Sequence, residues 1–188
     1  DKIVNALTHC RGQLFQEYVK TLCQTMADKN SRIIFHYIPP EKTKDHEEVC
    51  DALMLQGNSV DIIEAKSRQF NEGFKYTGNW QAVIKFLEEL IKKASEQIQI
   101  AANKICKGMI KELPQNVKRI YPIVVTYESI PMYGKMQKLI RSKVREFGYL
   151  NDKIFAPLEI INVNDLEQFM DVAESLTVVD ILAEKENS

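Results

Sequence analysis

Two short apolar runs, Val49 to Leu55 and Ser59 to Ala65, flank Gln56-Gly57-Asn58, and this stretch constrains the chain more than any other. A Gly-Asn pair between runs of strand-forming residues is a common two-residue hairpin turn. With Gly57 and Asn58 as the turn residues, Leu55 faces Val60, Leu53 faces Ile62 and Asp51 faces Glu64. Side chains alternate along a strand, so Glu64 and Lys66 share a face and Asp51 points to that same face. A turn one residue longer would put Asp51 and Glu64 on opposite faces.

The elements around the hairpin follow from periodicity. Residues 2–27 place Leu7, Leu14, Phe15, Tyr18, Leu22 and Met26 on one stripe at helical spacing, predicting a first helix. Ser31 to Ile38 is rich in β-branched and aromatic residues and stops at Pro39-Pro40, as a strand would. A charged loop, Glu41 to Glu48, leads into the hairpin, and a polar loop, Ser67 to Gly78, leaves it. Trp80 to about Met109 has no proline and predicts a long helix, bracketed at its end by Gly108 and Pro114. Lys118 to Thr126 predicts a strand, with Pro122 suggesting an edge position or a bulge. Met136, Leu139, Ile140, Val144 and Phe147 then share one face of a helix over 132–147. Pro157 to Val163 reads as a strand, followed by a helix with Asn164 as N-cap and Glu167 completing a capping box. Leu176 to Ala183 predicts a last helix. This order predicts a single α/β domain over residues 1–188, with a mixed central β-sheet flanked by helices.

Composition narrows the function class. Of 188 residues, 45% are apolar and 27% charged, with only 7 Gly and 6 Pro, which excludes a collagenous or disordered chain. No charge-free stretch supplies the roughly 20 apolar residues of a bilayer span, so no membrane is expected. Lys and Arg number 25 against 26 Asp and Glu, and a net charge of -1 offers no global cationic field. Nucleic-acid binding, if present, must rest on a local site. Cys10, Cys23, Cys50 and Cys106 form no Cys-x-x-Cys pair and are not spaced with His9, His36 and His46 as zinc ligands, so reduced thiols in a cytoplasmic protein are expected. The chain opens at Asp1 with neither an initiator Met nor a signal segment, leaving open that it is cut from a longer chain.

The hairpin face carries the chemistry. Like charges opposite each other on paired strands are unfavourable, and two acids in a partly buried site need compensation. A hard divalent cation supplies it, since Mg²⁺ and Mn²⁺ prefer carboxylate oxygens and need only one or two of them beside water and phosphate. Lys66 adds a compact charge able to orient a water or stabilise a phosphoryl oxygen. Metal-assisted hydrolysis of a phosphodiester is the expected reaction. Asp61 falls on the opposite face from Glu64 and reads as a solvent-facing or structural acid rather than a ligand.

Asp51 followed by Glu64-Ala65-Lys66 on a hairpin between two helices resembles the PD-(D/E)xK nuclease superfamily, over roughly residues 10–126. That resemblance implies a restriction-endonuclease-like α-β-β-β-α-β core. It implies Asp51, Glu64 and the Ala65 carbonyl as ligands of Mg²⁺ or Mn²⁺, and Lys66 as the residue that positions the attacking water. Gly12 to Val19 is similar to the family's first-helix pattern, which would make Glu17 a further ligand. The second helix offers Gln97 as a catalytic-site residue, although Ala101 departs from the Gln-x-x-x-Tyr form, and Cys50 stands where the family often has proline.

A nuclease needs local positive charge, since phosphate contacts supply most of its affinity. Lys138, Arg141 and Arg145 fall on one side of their helix, and Arg68 and Lys75 follow the hairpin, either as nucleic-acid contacts or as a solvated face. Phe70, Phe74, Tyr76 and Trp80 would stack on bases or pack beneath their loop. No Ser- or Cys-His triad and no Walker-type phosphate loop is present. The expected function is therefore metal-dependent hydrolysis of nucleic acid, with DNA ahead of RNA. A homodimer and further domains of a parent chain stay open as partners. The alternative is a catalytically silent nuclease-like module that binds nucleic acid or assembles a larger complex, and a third is a generic α/β domain.

Overall fold

A computed structural model describes residues 2–39, 49–68, 80–110, 113–114, 116–130 and 134–187. Gly57 takes the left-handed φ of +57° that closes the hairpin, a conformation in which a side chain is strained. Strands β2 (Ala52–Gln56) and β3 (Ser59–Lys66) run antiparallel from it, with Leu53 opposite Ile62 and Leu55 opposite Val60, the expected register. Strand β1 (Ile34–His36) adds to β2 antiparallel, setting Ile34 opposite Leu55. Across β3 lies β4 (Arg119–Thr126), parallel to it from Ser59↔Arg119 to Lys66↔Thr126. β5 (Glu159–Asn162) extends the sheet parallel to β4. The result is a five-stranded mixed sheet in the order β1-β2-β3-β4-β5.

Sequence predicts Pro122 at an edge or a bulge; β4 lies inside the sheet, but its pairing slips by one residue across Pro122, from Ile120↔Phe155 to Ile123↔Glu159. The proline is tolerated because of where its nitrogen points. Ile120 exchanges backbone hydrogen bonds with Ile154 and Ala156, so alternation turns the Pro122 nitrogen to that same side. There it falls in the gap between the isolated Ile120↔Phe155 bridge and the start of the β5 ladder at Ile123↔Glu159, so no ladder hydrogen bond is lost.

Period-two alternation divides the core in two. Leu53, Leu55, Val60, Ile62, Ile120 and Val124 pack against α2 (Trp80–Cys106) and α3 (Gly134–Glu146). Ala52, Met54, Ile63, Ala65, Tyr121 and Val125 pack instead with α1 (Lys2–Lys29), α4 (Val163–Val172) and α5 (Val178–Asn187). Each fully buried side chain of Ile62's size contributes about 1.5–3 kcal/mol. The α2 helix ends where Gly108 takes φ +63° and the Gly108 and Met109 amides bond back to Ile105 and Lys104.

Two expectations shift. The buried stripe of α1 is Phe15, Val19, Leu22, Cys23 and Met26, while Leu7, Leu14 and Tyr18 are exposed. The first turns of this helix, residues 3–10, carry no buried residue, because its contact with the sheet begins further along. The α4 N-cap is Asn162 rather than Asn164. Its side chain accepts from the Asn164 and Asp165 amides, and Asp165 answers at the Asn162 amide, a complete capping box two residues earlier than predicted. None of the described helices is long and apolar enough to cross a membrane. Cys10, Cys23, Cys50 and Cys106 are all free thiols.

Candidate active site

The β2–β3 ladder ends at Ala52↔Ile63, one residue short of Asp51. The Asp51 side chain continues it: Oδ2 accepts the Ala65 amide at 2.6 Å, and Oδ1 accepts Gln16 Nε2 at 2.8 Å. A buried amide beyond the end of the partner strand needs an acceptor, and this carboxylate supplies one. In an antiparallel pair a residue's N–H and C=O face the same neighbour, so the Ala65 carbonyl lies on the Asp51 side as well.

Glu64 extends from β3 towards α2, the face of Val60 and Ile62. It is 2% exposed and Asp51 is 3% exposed. Glu64 Oε2 accepts from Lys66 Nζ at 2.6 Å, and the same ammonium donates to Gln97 Oε1 at 2.9 Å. Gln97 thus ties the strand end to α2. Gln16, Val49, Cys50, Asp51, Glu64, Gln97 and Ile100 line one open cleft of about 260 Å³. Residues from α1, the chain entering β2, β3 and α2 meet there. Asp51, Glu64, Lys66 and Gln97 are brought together as expected.

Glu17 is not. Its carboxylate is 70% exposed and pairs with Lys20 at 2.9 Å. Two residues beyond buried Phe15, it lies about 200° around the helix and points away from the sheet. Gln16, about 100° round, flanks the buried stripe and reaches Asp51. The expected stripe spreads over Leu14 and Tyr18 as well as Phe15, whereas the buried one narrows to Phe15 and Val19, and Gln16 lies at its margin.

Asp61 is a structural acid and does not face solvent. It sits 3% exposed on the α1 face, opposite Met54 and Tyr121, and its Oδ1 has no hydrogen-bond partner among the described residues. Burial pushes its carboxyl up to about 8. The Cys23 thiol beside it is raised by its own burial and by the Asp61 charge.

The cationic residues separate. Arg68 is committed to α2, with its guanidinium 2.8 Å from Glu89 and 5.0 Å over the Phe86 ring. Lys138, Arg141 and Arg145 are exposed on α3, and none lines the Asp51–Glu64 cleft. Lys75, Phe70, Phe74 and Tyr76, together with the Trp80 side chain, lie outside the described residues.

Among the described residues no set of three His, Cys, Asp or Glu side chains gathers as a metal site. The cleft's donors are two carboxylates, with the Ala65 carbonyl beside them. That all-oxygen set suits a hard cation completed by water and phosphate rather than a protein-only cage. Comparisons with protein-family models, curated proteins and solved structures each found no match.

Proposed function

We propose that this chain is a metal-dependent nuclease of the PD-(D/E)xK kind, hydrolysing phosphodiester bonds, with DNA as the first substrate to test. One observation carries the proposal: Asp51 and Glu64, separated in sequence, line one open cleft with Gln97, and Gln97 holds the Lys66 ammonium beside Glu64. The strand order supports a restriction-endonuclease-like core, since an antiparallel β1-β2-β3 meander followed through α2 by a parallel β4 is compatible with α-β-β-β-α-β connectivity.

Asp51, Glu64 and the Ala65 carbonyl are the groups that would hold Mg²⁺ or Mn²⁺. Such a cation, when bound, supplies charge neutralisation at the phosphoryl oxygens and lowers the pKa of a water. The chain's own groups do the positioning. The Ala65 amide and Gln16 fix the Asp51 carboxylate in one orientation, and Gln97 aims the Lys66 ammonium beside Glu64. There Lys66 orients the attacking water and stabilises developing negative charge, a contribution of about 10²–10³ in rate where one such donor is removed.

A silent module is favoured by one feature. Both Asp51 oxygens are engaged by protein donors, and Glu64 is bonded to Lys66, so the cluster is internally satisfied. Plasmid and linear DNA incubated with Mn²⁺ or Mg²⁺, with and without EDTA, decide between the two. Cleavage is expected, abolished by the chelator and by Glu64→Ala, and reduced at least 100-fold by Lys66→Ala. Cleavage that survives chelator or Glu64→Ala overturns the site, and DNA binding without any cleavage leaves the silent module.

A further inference from the structure

A second cleft, of about 330 Å³, lies at the other end of the sheet, between the C-terminal half of α3, the start of β4 and the chain leading to β5. Arg119 opens β4 opposite Ser59, whereas Lys66, bonded to Glu64 and Gln97 of the first cleft, pairs with Thr126 at its close. The strand is eight residues long, which separates its ends by about 23 Å at ~3.3 Å per residue.

Three arginines line this cleft, Arg119, Arg141 and Arg145, against one acidic residue, Asp152. Arg119 is held in place by its Nη1 donating to the Lys153 carbonyl at 2.9 Å. Arg141 and Arg145 make no ion pair with a described residue. The nearby cation of the same helix is treated differently: Lys143 pairs with both Glu88 and Glu146 at 2.9 Å. The helix's own acid is thus spent on Lys143, and Asp152 is the acidic residue among those lining the cleft with the two arginines.

The apolar part of the lining comes from Val144 of the same helix and from Leu150, Phe155 and Leu158 of the chain leading to β5. Leu150 is the one non-glycine residue at positive φ, +52°, among the described residues. Its amide donates to Gln99 Oε1 at 2.9 Å, so α2 holds this turn in its disfavoured conformation. Backbone strain and an excess of arginine over acidic side chains therefore coincide at one concavity.

We propose that this cleft binds a small phosphomonoester, its phosphate clamped among Arg119, Arg141 and Arg145 and its body resting on the Leu150–Phe155 wall. Guanidinium forks match phosphate oxygens two at a time, which a lysine cannot do. The volume is that of a small-molecule site, and its lining sets polar and cationic side chains beside a smaller apolar part. The site does not depend on the chemistry at Glu64.

Isothermal titration of the whole chain at low salt tests it, with 5′-AMP, ribose 5-phosphate, inorganic phosphate and adenosine as probes. Saturable binding of one or both phosphomonoesters is expected, with none for adenosine. Ribose 5-phosphate equal to 5′-AMP would mark a sugar-phosphate site, and 5′-AMP alone a nucleotide site. Binding should weaken at least tenfold in Arg141→Ala/Arg145→Ala and stay unchanged in Glu64→Ala. Both arginines are exposed, so the double variant should unfold at the parent temperature; each single variant, expected to lose part of the affinity, serves if it does not. No saturable binding of either phosphomonoester, adenosine binding as well as 5′-AMP, binding indifferent to the arginines, or binding lost in Glu64→Ala would each overturn the proposal.

Discussion

Three acids of one hairpin meet three different fates, and the physical cause is local in each case. Asp51 gains two hydrogen-bond donors, Glu64 gains an ammonium, and Asp61 gains no partner at Oδ1 while being as buried as the others. Desolvation then favours the protonated form of Asp61, lifting it from 3.8 to about 8. A proton bound more tightly in the folded state stabilises the fold fully below the unfolded value, and that contribution is lost as pH rises towards the folded one. Between those limits the loss is at most ~1.4 kcal/mol per pH unit. Asp61→Asn removes this titration. Its stability relative to the parent should rise steadily from pH 5 to pH 8 in urea unfolding, and a pH-independent difference would show that Asp61 ionises normally. Alternation in the sequence placed Asp61 opposite to Glu64, but whether that face meets water or a helix depends on α1, whose docking stripe periodicity alone did not settle.

At the scale of elements, the hairpin was the most legible part of the chain. Its turn chemistry and its apolar alternation agree on one register, and the Leu53↔Ile62 and Leu55↔Val60 pairs follow from it. The turn rests on Gly57, at φ +57°, with no atom within 4 Å of where a Cβ would stand. Gly57→Ala should therefore destabilise through the backbone alone, by about 1–2 kcal/mol. A drop in urea midpoint with an unchanged slope is the expected result, and an unchanged midpoint would mean the turn is not held in this conformation. The first helix was less legible, since it carries two apolar stripes at helical spacing. The sheet keeps Phe15, Leu22 and Met26 of the expected stripe, adds Val19 and Cys23, and leaves Leu7, Leu14 and Tyr18 exposed. The same ambiguity displaced the α4 cap, where Asn162–Asp165 and Asn164–Glu167 offer the same spacing and the strand's end at Asn162 selects the first.

On the scale of the whole molecule, the sheet holds two clefts of opposite character apart. One end gathers Asp51, Glu64, Lys66 and Gln97, and the other gathers Arg119, Arg141 and Arg145. Helical spacing revealed that Arg141 and Arg145 share a side of α3, but only the parallel β3–β4–β5 order determines which end of the sheet that side meets. The near-zero net charge is thus the sum of separated local fields rather than a neutral surface. The central claim is that the acidic end is built for a divalent cation, and anomalous diffraction from crystals soaked in Mn²⁺ tests it most directly. A manganese peak bounded by the Asp51 and Glu64 carboxylates and the Ala65 carbonyl is predicted, absent from Glu64→Ala crystals. A cleft without manganese at saturating concentration, Lys66 still on Glu64 and Gln16 still on Asp51, would contradict it.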